Sequence, residues 1–341
     1  MSIVIVGGGA IGLLVAGRLS HAGVQPTTLL ARPSSMAALA TQSLSITQQG
    51  QTTRLPGLRV VADPAACAQP DLAILCVKGY DTPGAVATLQ ALNPSQILTL
   101  QNGIGNEEIL IDAFGAARVI SGAITTSVDL LNPTTISVTK AGGIGLAPTA
   151  PGGSVQLWAK ALAGAGFRIA TYPNHRSLKW SKALLNMLGN ASAAILGMSV
   201  AEVYADSRLI ALERRAYREA LAVMQRIGAS PINLPSYPAA SLSFAMTWLP
   251  RPLLFPILRK VVAGGRGGKA PSLLRDLRAG RSRSEGEFLY GAIAATAAQQ
   301  GIAAPVNAGL WRVLGGIAAG MIPWEEYRGR PEKLLMAVER S

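Results

Sequence analysis

Short apolar segments alternate with amphipathic stretches through the first half of the chain. SIVIVG, PTTLLAR, DLAILCVK and QILTLQN have the length and composition of buried strands, and AIGLLVAGRLSHAG has the apolar spacing of a helix. Strands that alternate with helices predict a parallel sheet with helices on both faces. Residues 118–148 are again rich in strand formers, with a turn at Asn132-Pro133, and we expect them to extend this sheet.

The pattern changes near residue 174, after which strand-like runs give way to helical ones. Helical windows cover 176–197, 199–228, 270–300 and 306–319, and a proline-rich connection occupies 229–269. The sequence therefore predicts an α/β protein of two domains, a parallel-sheet domain at 1–174 and a mostly α-helical domain at 175–341.

One helical window carries a polar stripe on an otherwise apolar helix. Lys179, Lys182, Asn186 and Asn190 follow one another at spacings of three, four and four, which places all four on one helix face. The two lysines could simply extend along apolar surface with their ammonium groups in water. Asparagine is a poor helix former and needs partners in apolar surroundings, so the stripe also indicates a functional site.

A glycine-rich loop directly follows the first strand. IVIVGGGAIG places Gly7, Gly9 and Gly12 in the G-x-G-x-x-G spacing, at the start of a helix that includes Ala10 and Ile11. The glycines allow a tight turn, close approach to a pyrophosphate and close helix packing, and the first helical N–H groups bind phosphate. This motif predicts a Rossmann-type domain that binds a dinucleotide.

The end of the second strand selects between the two nicotinamide cofactors. NAD sites carry an acid there, whereas this strand ends in LLARPSS, with Arg32 and no acid. An arginine would bind a 2′-phosphate, so we expect NADPH, although an arginine on an exposed loop would look the same. Lys78 and Asn102 follow the next two predicted strands, where ligands of such sheets bind, and turn or capping roles remain open for both.

Composition narrows the function classes. Apolar residues make up 49% of the 341 residues and charged ones 14%, which excludes a disordered chain. The 2 cysteines and 2 histidines lack metal spacing, so we expect no metal. With no signal peptide pattern and no uninterrupted apolar span, we expect a cytoplasmic protein without a membrane partner.

The positive charge is concentrated in the second half. Residues 176–341 contribute +11 of the net +13. No nucleic-acid-binding module is recognisable, so an anionic small molecule is the expected partner. The apolar stretch 242–262 is a candidate contact of a homodimer, or a lid.

Several motifs in order along nearly the whole chain resemble the ketopantoate reductase (2-dehydropantoate 2-reductase) family. They are GGGAIG, Arg32, CVKGY, QNGIGNEE, KWSKALLNMLGN, PSLLRDLRAGR and GIAAPVN. The resemblance implies a Rossmann domain, a helical C-terminal domain and a cleft between them. It also implies NADPH-dependent reduction of 2-dehydropantoate to (R)-pantoate in pantothenate biosynthesis.

The resemblance also assigns roles to individual residues. It implies that Lys182 is the catalytic lysine and general acid, with Glu285 as the second catalytic residue. The implied substrate-binding residues are Asn186, Asn190 and Ser272, and those on the cofactor side are Arg32, Lys78 and Asn102. The segment SEGEFLYG departs from the family pattern, with Glu287 and Tyr290 in place of an aspartate and an asparagine.

These departures leave the substrate open. A reductase of the same fold that acts on a different 2-oxo acid would keep the cofactor motif and the lysine. A catalytically silent NADPH-binding or sensing protein would keep the cofactor motif alone. Retention of Lys182, Asn186, Asn190 and Glu285 favours an enzyme.

Overall fold

The strands predicted in the first half form the centre of a mixed α/β structure, which confirms the fold class. The computed structural model describes residues 1–24, 26–55, 57–263 and 270–339. It divides into two units, the first comprising Met1–Lys179 with Leu234–Tyr237 and the second Trp180–Asn233 with Pro238–Ser341. The division falls after Lys179, inside a helix and a little beyond the position 174/175 that the sequence pattern suggested.

The first unit contains the strands of both sheets. They are β1 (Ile3–Val6), β2 (Thr27–Leu30), β3 (Leu44–Gln48), β4 (Gln51–Leu55), β5 (Arg59–Val61), β6 (Leu72–Leu75), β7 (Gln96–Thr99), β8 (Val119–Ile124), β9 (Ser127–Asn132), β10 (Thr135–Lys140), β11 (Ile144–Pro148) and β12 (Ile169–Thr171). The main sheet has the order β12-β11-β8-β7-β6-β1-β2-β5. Its centre is parallel, and β11 pairs antiparallel with β8.

Both faces of the main sheet are covered. Ile3 and Ile5 of β1 belong to one buried core cluster, and Val4 and Val6 belong to another. Successive side chains of a strand point to opposite faces, so each face has its own core. The first unit's helices are α1 (Ala10–His21), α2 (Pro33–Thr41), α3 (Thr82–Leu92), α4 (Asn106–Phe114) and α5 (Gln156–Gly164).

A second sheet, of order β4-β3-β10-β9, is the main difference from the sequence analysis. We expected residues 118–148 to extend the main sheet, and β8 and β11 do so. That expectation is wrong for β9 and β10, which pair with the hairpin β3–β4 instead. The second sheet packs on α1, where a Cβ added to Gly17 would lie 2.7 Å from Leu44 Cδ2.

The remaining helices follow from residue 175 onward. They are α6 (His175–Met187), α7 (Ala191–Leu196), α8 (Val200–Ala205), α9 (Ser207–Arg226), α10 (Ala239–Trp248), α11 (Arg251–Leu258), α12 (Ser272–Arg278), α13 (Ala292–Gln299), α14 (Pro305–Ala318) and α15 (Pro331–Glu339). One π-helical turn, Arg259–Ala263, follows α11. A second, Glu287–Gly291, precedes α13.

Three of the predicted helical windows are interrupted. The first ends at Met187 because Gly189 adopts a left-handed conformation with φ of 62°. The second is split at Asp206, whose carboxylate accepts a hydrogen bond from the Arg208 N–H and so caps α9. The third divides into α12, the turn Glu287–Gly291 and α13.

The proline-rich connection contains α10 and α11, and its last residues, 264–269, lie outside the described residues. Both helices expose large apolar side chains, among them Phe244 at 64% and Trp248 at 73%. Among the residues that the structure describes, no helix combines the length and the apolar character needed to cross a membrane.

Gly12 is the glycine whose replacement the fold tolerates least. A Cβ there would lie 1.8 Å from the Gly7 carbonyl oxygen, whereas a Cβ at Gly9 meets nothing within 4 Å. We expect Gly12→Ala to lower the free energy of unfolding by more than the ~1–3 kcal/mol typical of overpacked sites. Gly9→Ala, the matched control, is expected to cost at most about 1 kcal/mol. Urea denaturation of both variants tests this, and equal stabilities would contradict the packing argument.

Candidate active site

The glycine-rich loop connects β1 to α1 as the sequence predicted. Gly7 has a φ of 115°, and its N–H donates to the Leu30 carbonyl at 2.9 Å. Gly9 precedes α1 with extended backbone, and no side chain of the described residues caps this helix. The N–H groups at Ala10 and Ile11 therefore begin a 12-residue helix without a capping side chain, an arrangement that suits a phosphate group.

Arg32 lies beside this loop. It lies in the turn between β2 and α2, directly before α2, and its side chain is exposed. The glycine loop packs against the same turn, because a Cβ at Gly8 would lie 2.9 Å from Ala31 Cβ and 3.6 Å from Ser35 Cβ. No acidic residue occurs between residues 27 and 44. An exposed guanidinium here can pair with a phosphate, and nothing in the turn would repel one.

Lys78 and Asn102 are joined through Gln101. The Gln101 side-chain amide donates to the Lys78 carbonyl at 3.3 Å, and the Asn102 carbonyl accepts from the Asn106 amide at 3.0 Å. The Asn102 side chain is exposed, whereas Gln101 is buried. The structure thus fixes the backbone at both predicted cofactor-side positions and leaves the Asn102 side chain exposed.

The first unit therefore fits the expected dinucleotide. The glycine loop offers N–H donors after β1, and Arg32 and Lys78 supply cations after β2 and β6, the two strands that flank β1. The alignment of these strand ends follows from the sheet register, in which Val6 pairs with both Leu30 and Leu75. Ligands of open α/β sheets bind at this edge.

The second unit carries the rest of the predicted site. Lys182 lies on α6 and is buried, with 9% of its surface exposed, and Asn186 is half-buried one turn later. The sequence placed Asn190 on the same helix face, and this is wrong because α6 ends at Met187. Asn190 is the residue directly before the separate helix α7.

Asn190 instead holds the start of the helix that carries Ser272. Its side-chain oxygen accepts a hydrogen bond from the Leu273 N–H at 3.3 Å. Ser272, half-buried, is the first residue of α12. The structure therefore brings Asn190 close to Ser272, the residue before Leu273.

Glu285 is half-buried and lies two residues before the π-helical turn Glu287–Gly291. It belongs to the segment SEGEFLYG, which departs from the family pattern. Gly286 has a packing reason, since a Cβ there would lie 2.5 Å from Leu314 Cδ2. Glu287 is exposed, and Tyr290 is buried with 1% of its surface exposed.

The hydroxyl of Tyr290 holds the break between α6 and α7. It donates to the Met187 carbonyl at 2.7 Å and accepts from the Ala191 N–H at 3.1 Å. These are backbone groups that a helix end leaves without an intrahelical partner. The tyrosine hydroxyl therefore forms hydrogen bonds to the backbone on both sides of the break between Asn186 and Asn190.

Sequence reasoning missed Glu213, which holds the same break from the other side. This buried carboxylate accepts from the Gly189 N–H at 2.8 Å and from the Ser192 hydroxyl at 2.5 Å. An acid at position 213 lies on the apolar face of α9, between Leu209 and Ala216. A charge inside an apolar stripe is the signal that would have indicated a buried role.

Comparison with known proteins gives consistent matches along the chain. The family model described as Ketopantoate reductase PanE/ApbA matches residues 3–151, and its C-terminal counterpart matches residues 174–318. A 2-dehydropantoate 2-reductase of Halobacterium salinarum is 30% identical over 314 residues, which cover 90% of this chain and 95% of that protein.

Solved structures show the same relationship. A 2-dehydropantoate 2-reductase of Geobacter metallireducens is 26% identical with a TM-score of 0.78, covering 92% of this chain and 99% of that one. A D-mandelate dehydrogenase solved in complex with NADH is 20% identical with a TM-score of 0.77, covering 94% and 100%. At that identity the second likeness concerns the fold.

Tyr290→Phe tests the role of the hydroxyl at the helix break. The variant removes the side-chain partner of the Ala191 N–H and one hydrogen bond to the Met187 carbonyl, which keeps its bond from the Asn190 N–H. We therefore expect the free energy of unfolding to fall by ~1–3 kcal/mol. Tyr327→Phe is the control, because this tyrosine is half-buried and lies outside the break between Met187 and Ala191. If denaturation midpoints of the two variants coincide, the hydroxyl does not stabilise the break.

Proposed function

Because the chain belongs to the ketopantoate reductase family and is an oxidoreductase of that type, we propose that it reduces a 2-oxo acid with NADPH. The proposed substrate is 2-dehydropantoate and the product (R)-pantoate, a step of pantothenate biosynthesis. Relatives that carry the name 2-dehydropantoate 2-reductase support this substrate.

The observation that carries the proposal is the burial of Lys182 one helical turn before Asn186. A lysine is rarely buried without a specific purpose, since burial of its ammonium group is costly. A cation followed by an amide at this spacing presents a proton donor and a second hydrogen-bond donor on one helix face.

Residues of the first unit would hold the cofactor. The glycine loop and the N–H groups of Ala10 and Ile11 suit its pyrophosphate, and Arg32 suits the 2′-phosphate that distinguishes NADPH from NADH. We assign Lys78 and Asn102 to the same ligand. The bound cofactor supplies the hydride that adds to the carbonyl carbon of the substrate.

Lys182 supplies the proton. As the carbonyl carbon is reduced, negative charge develops on the carbonyl oxygen, and the ammonium group stabilises this charge and donates its proton to it. The product is then the neutral 2-hydroxyl group, and Lys182 takes up a proton from solvent before the next turnover. No second acid is needed for this step.

The remaining residues would orient the substrate. Asn186, the Asn190 Nδ2 group and the Ser272 hydroxyl are hydrogen-bond donors suited to the substrate carboxylate and hydroxyl groups. Glu285 would accept a hydrogen bond from the hydroxyl of 2-dehydropantoate. Donors that hold the substrate in a reactive geometry raise kcat as well as affinity.

The alternative is a related 2-oxo acid. Tyr290 and Glu287 differ from the family pattern, but the Tyr290 hydroxyl is bound to backbone and Glu287 is exposed. Neither observation supplies a new hydrogen-bonding group for a different substrate, so 2-dehydropantoate remains the first choice. Turnover of other 2-oxo acids alone would support the alternative, and NADPH binding without turnover would identify a silent binding protein.

The deciding measurement is oxidation of NADPH by the wild-type protein with 2-dehydropantoate, compared with Lys182→Ala. We expect Lys182→Ala to lower kcat by about 10²- to 10⁴-fold because the general acid is lost. Its affinity for NADPH, measured by fluorescence titration, should stay within threefold of wild type. Lys160→Ala, which changes an exposed lysine, is the control. A wild-type kcat in Lys182→Ala would exclude this lysine as the proton donor.

Arg32→Ala tests the choice of cofactor. Loss of a charged hydrogen-bonding partner to the 2′-phosphate should raise the Kd for NADPH by about 10- to 100-fold. The Kd for NADH, which lacks this phosphate, should change by less than threefold. Arg54→Ala, on the exposed strand β4, serves as the control. Equal losses for both cofactors would reject the phosphate-binding role.

A further inference from the structure

A buried ion pair in the first unit has no part in the chemistry described so far. Lys179 and Glu107 are 4% and 2% exposed, and their charged atoms are 3.0 Å apart. The sequence analysis placed Lys179 in the polar stripe without assigning it a role, and the structure shows that it is buried. Pairs of this kind rarely stabilise a protein more than apolar residues would, so their position calls for another explanation.

The pair is connected to the loop that follows β7. Besides its bond to Glu107, the Lys179 ammonium donates to the Gln101 carbonyl at 2.6 Å. Glu107 lies in the first turn of α4, where the helix dipole favours a carboxylate, and accepts from the Ser121 hydroxyl at 2.8 Å. Lys179 therefore fixes the peptide group between Gln101 and Asn102.

The Gln101 side chain extends this network to the neighbouring strand end. Its amide nitrogen donates to the Thr82 hydroxyl at 2.8 Å and to the Lys78 carbonyl at 3.3 Å. The Thr82 hydroxyl donates in turn to the Asn106 side-chain oxygen at 2.9 Å.

The network closes at Asn102. The Asn106 amide group donates to the Asn102 carbonyl at 3.0 Å, and the Gln101 side-chain oxygen accepts from the Thr99 hydroxyl at 3.0 Å. Each donor in this network thus has an acceptor, from the Lys78 carbonyl to the Asn102 carbonyl. Buried networks whose hydrogen bonds are all made are rigid.

We propose that Lys179 is a positioning residue for the cofactor: through the Gln101 carbonyl it sets the backbone of the loop from which the exposed Asn102 side chain reaches the ligand. The proposal rests on the proposed binding of NADPH. Glu107 has a different task, which is to neutralise the buried ammonium group. Lys179 also lies one turn before Lys182 on α6, so the residue that fixes the loop belongs to the helix that carries the proton donor.

Three variants separate positioning from stability. Lys179→Met removes the donor and leaves Glu107 buried without its charge partner, so both the melting temperature and NADPH affinity should fall. Glu107→Gln keeps the bond from Lys179 to the Gln101 carbonyl, so the melting temperature should fall while the Kd for NADPH stays within threefold. The double variant Lys179→Met/Glu107→Gln removes both charges, so the melting temperature should recover.

The double variant gives the decisive result. Its Kd for NADPH, measured by fluorescence titration without turnover, should remain about 10-fold above wild type, because the Gln101 carbonyl still lacks its donor. The KM for the 2-oxo acid should stay within twofold. A double variant that binds NADPH like wild type, or a Glu107→Gln variant that loses as much affinity as Lys179→Met, would overturn the proposal.

The titration also separates this inference from the proposed function. If wild-type protein does not bind NADPH, the proposed function fails first. If wild-type protein binds NADPH and the affinities of all three variants follow their melting temperatures, the ion pair is structural and only the positioning role is rejected.

Discussion

Parallel pairing in register is the interaction on which the rest of the structure depends. Val6 pairs with Leu30 and Leu75, and Leu75 pairs with Thr99, so four neighbouring strands end at the same level. Beyond that level the sheet no longer satisfies backbone N–H and C=O groups. In the glycine loop these groups are available to a ligand, whereas after β6 and β7 buried side chains bind them. One edge of the sheet therefore contains both an open and a fixed loop.

Much of the first unit could be predicted from the sequence, because β1, β2, β6 and β7 are continuous apolar runs bounded by turn residues. The hairpin β3–β4 could not, since its second strand, QTTRL, is polar and mostly exposed. A strand of that composition is recognised only from its partners: β4 pairs with β3, β3 pairs with β10, and the hairpin packs on α1 through Leu44 and Leu55. The glycine motif and Arg32 were recognisable because both depend on local chain geometry.

The helical part of the site was harder to predict. The spacing of Lys182, Asn186 and Asn190 suits a continuous helix, and this regular spacing outweighed Gly189, a residue type that often ends helices. Gly189 interrupts the helix because it adopts a left-handed backbone conformation. A side chain would not fit there, since a Cβ added to Gly189 would lie 2.9 Å from Val200 Cγ1. Glu213 and Tyr290 then bind the backbone groups that the interruption releases, and both come from distant parts of the sequence.

Helix α6 fixes the angle about its axis between Lys179 and Lys182, to which we have assigned different roles. Each residue of a helix turns the chain by about 100° and advances it by about 1.5 Å. The insertion or loss of one residue between Lys179 and Lys182 would therefore move one of them off its face of the helix. Length variation in descendants of this chain should accordingly be confined to connections such as 229–269, while the three-residue interval between the lysines is inherited without insertions or deletions.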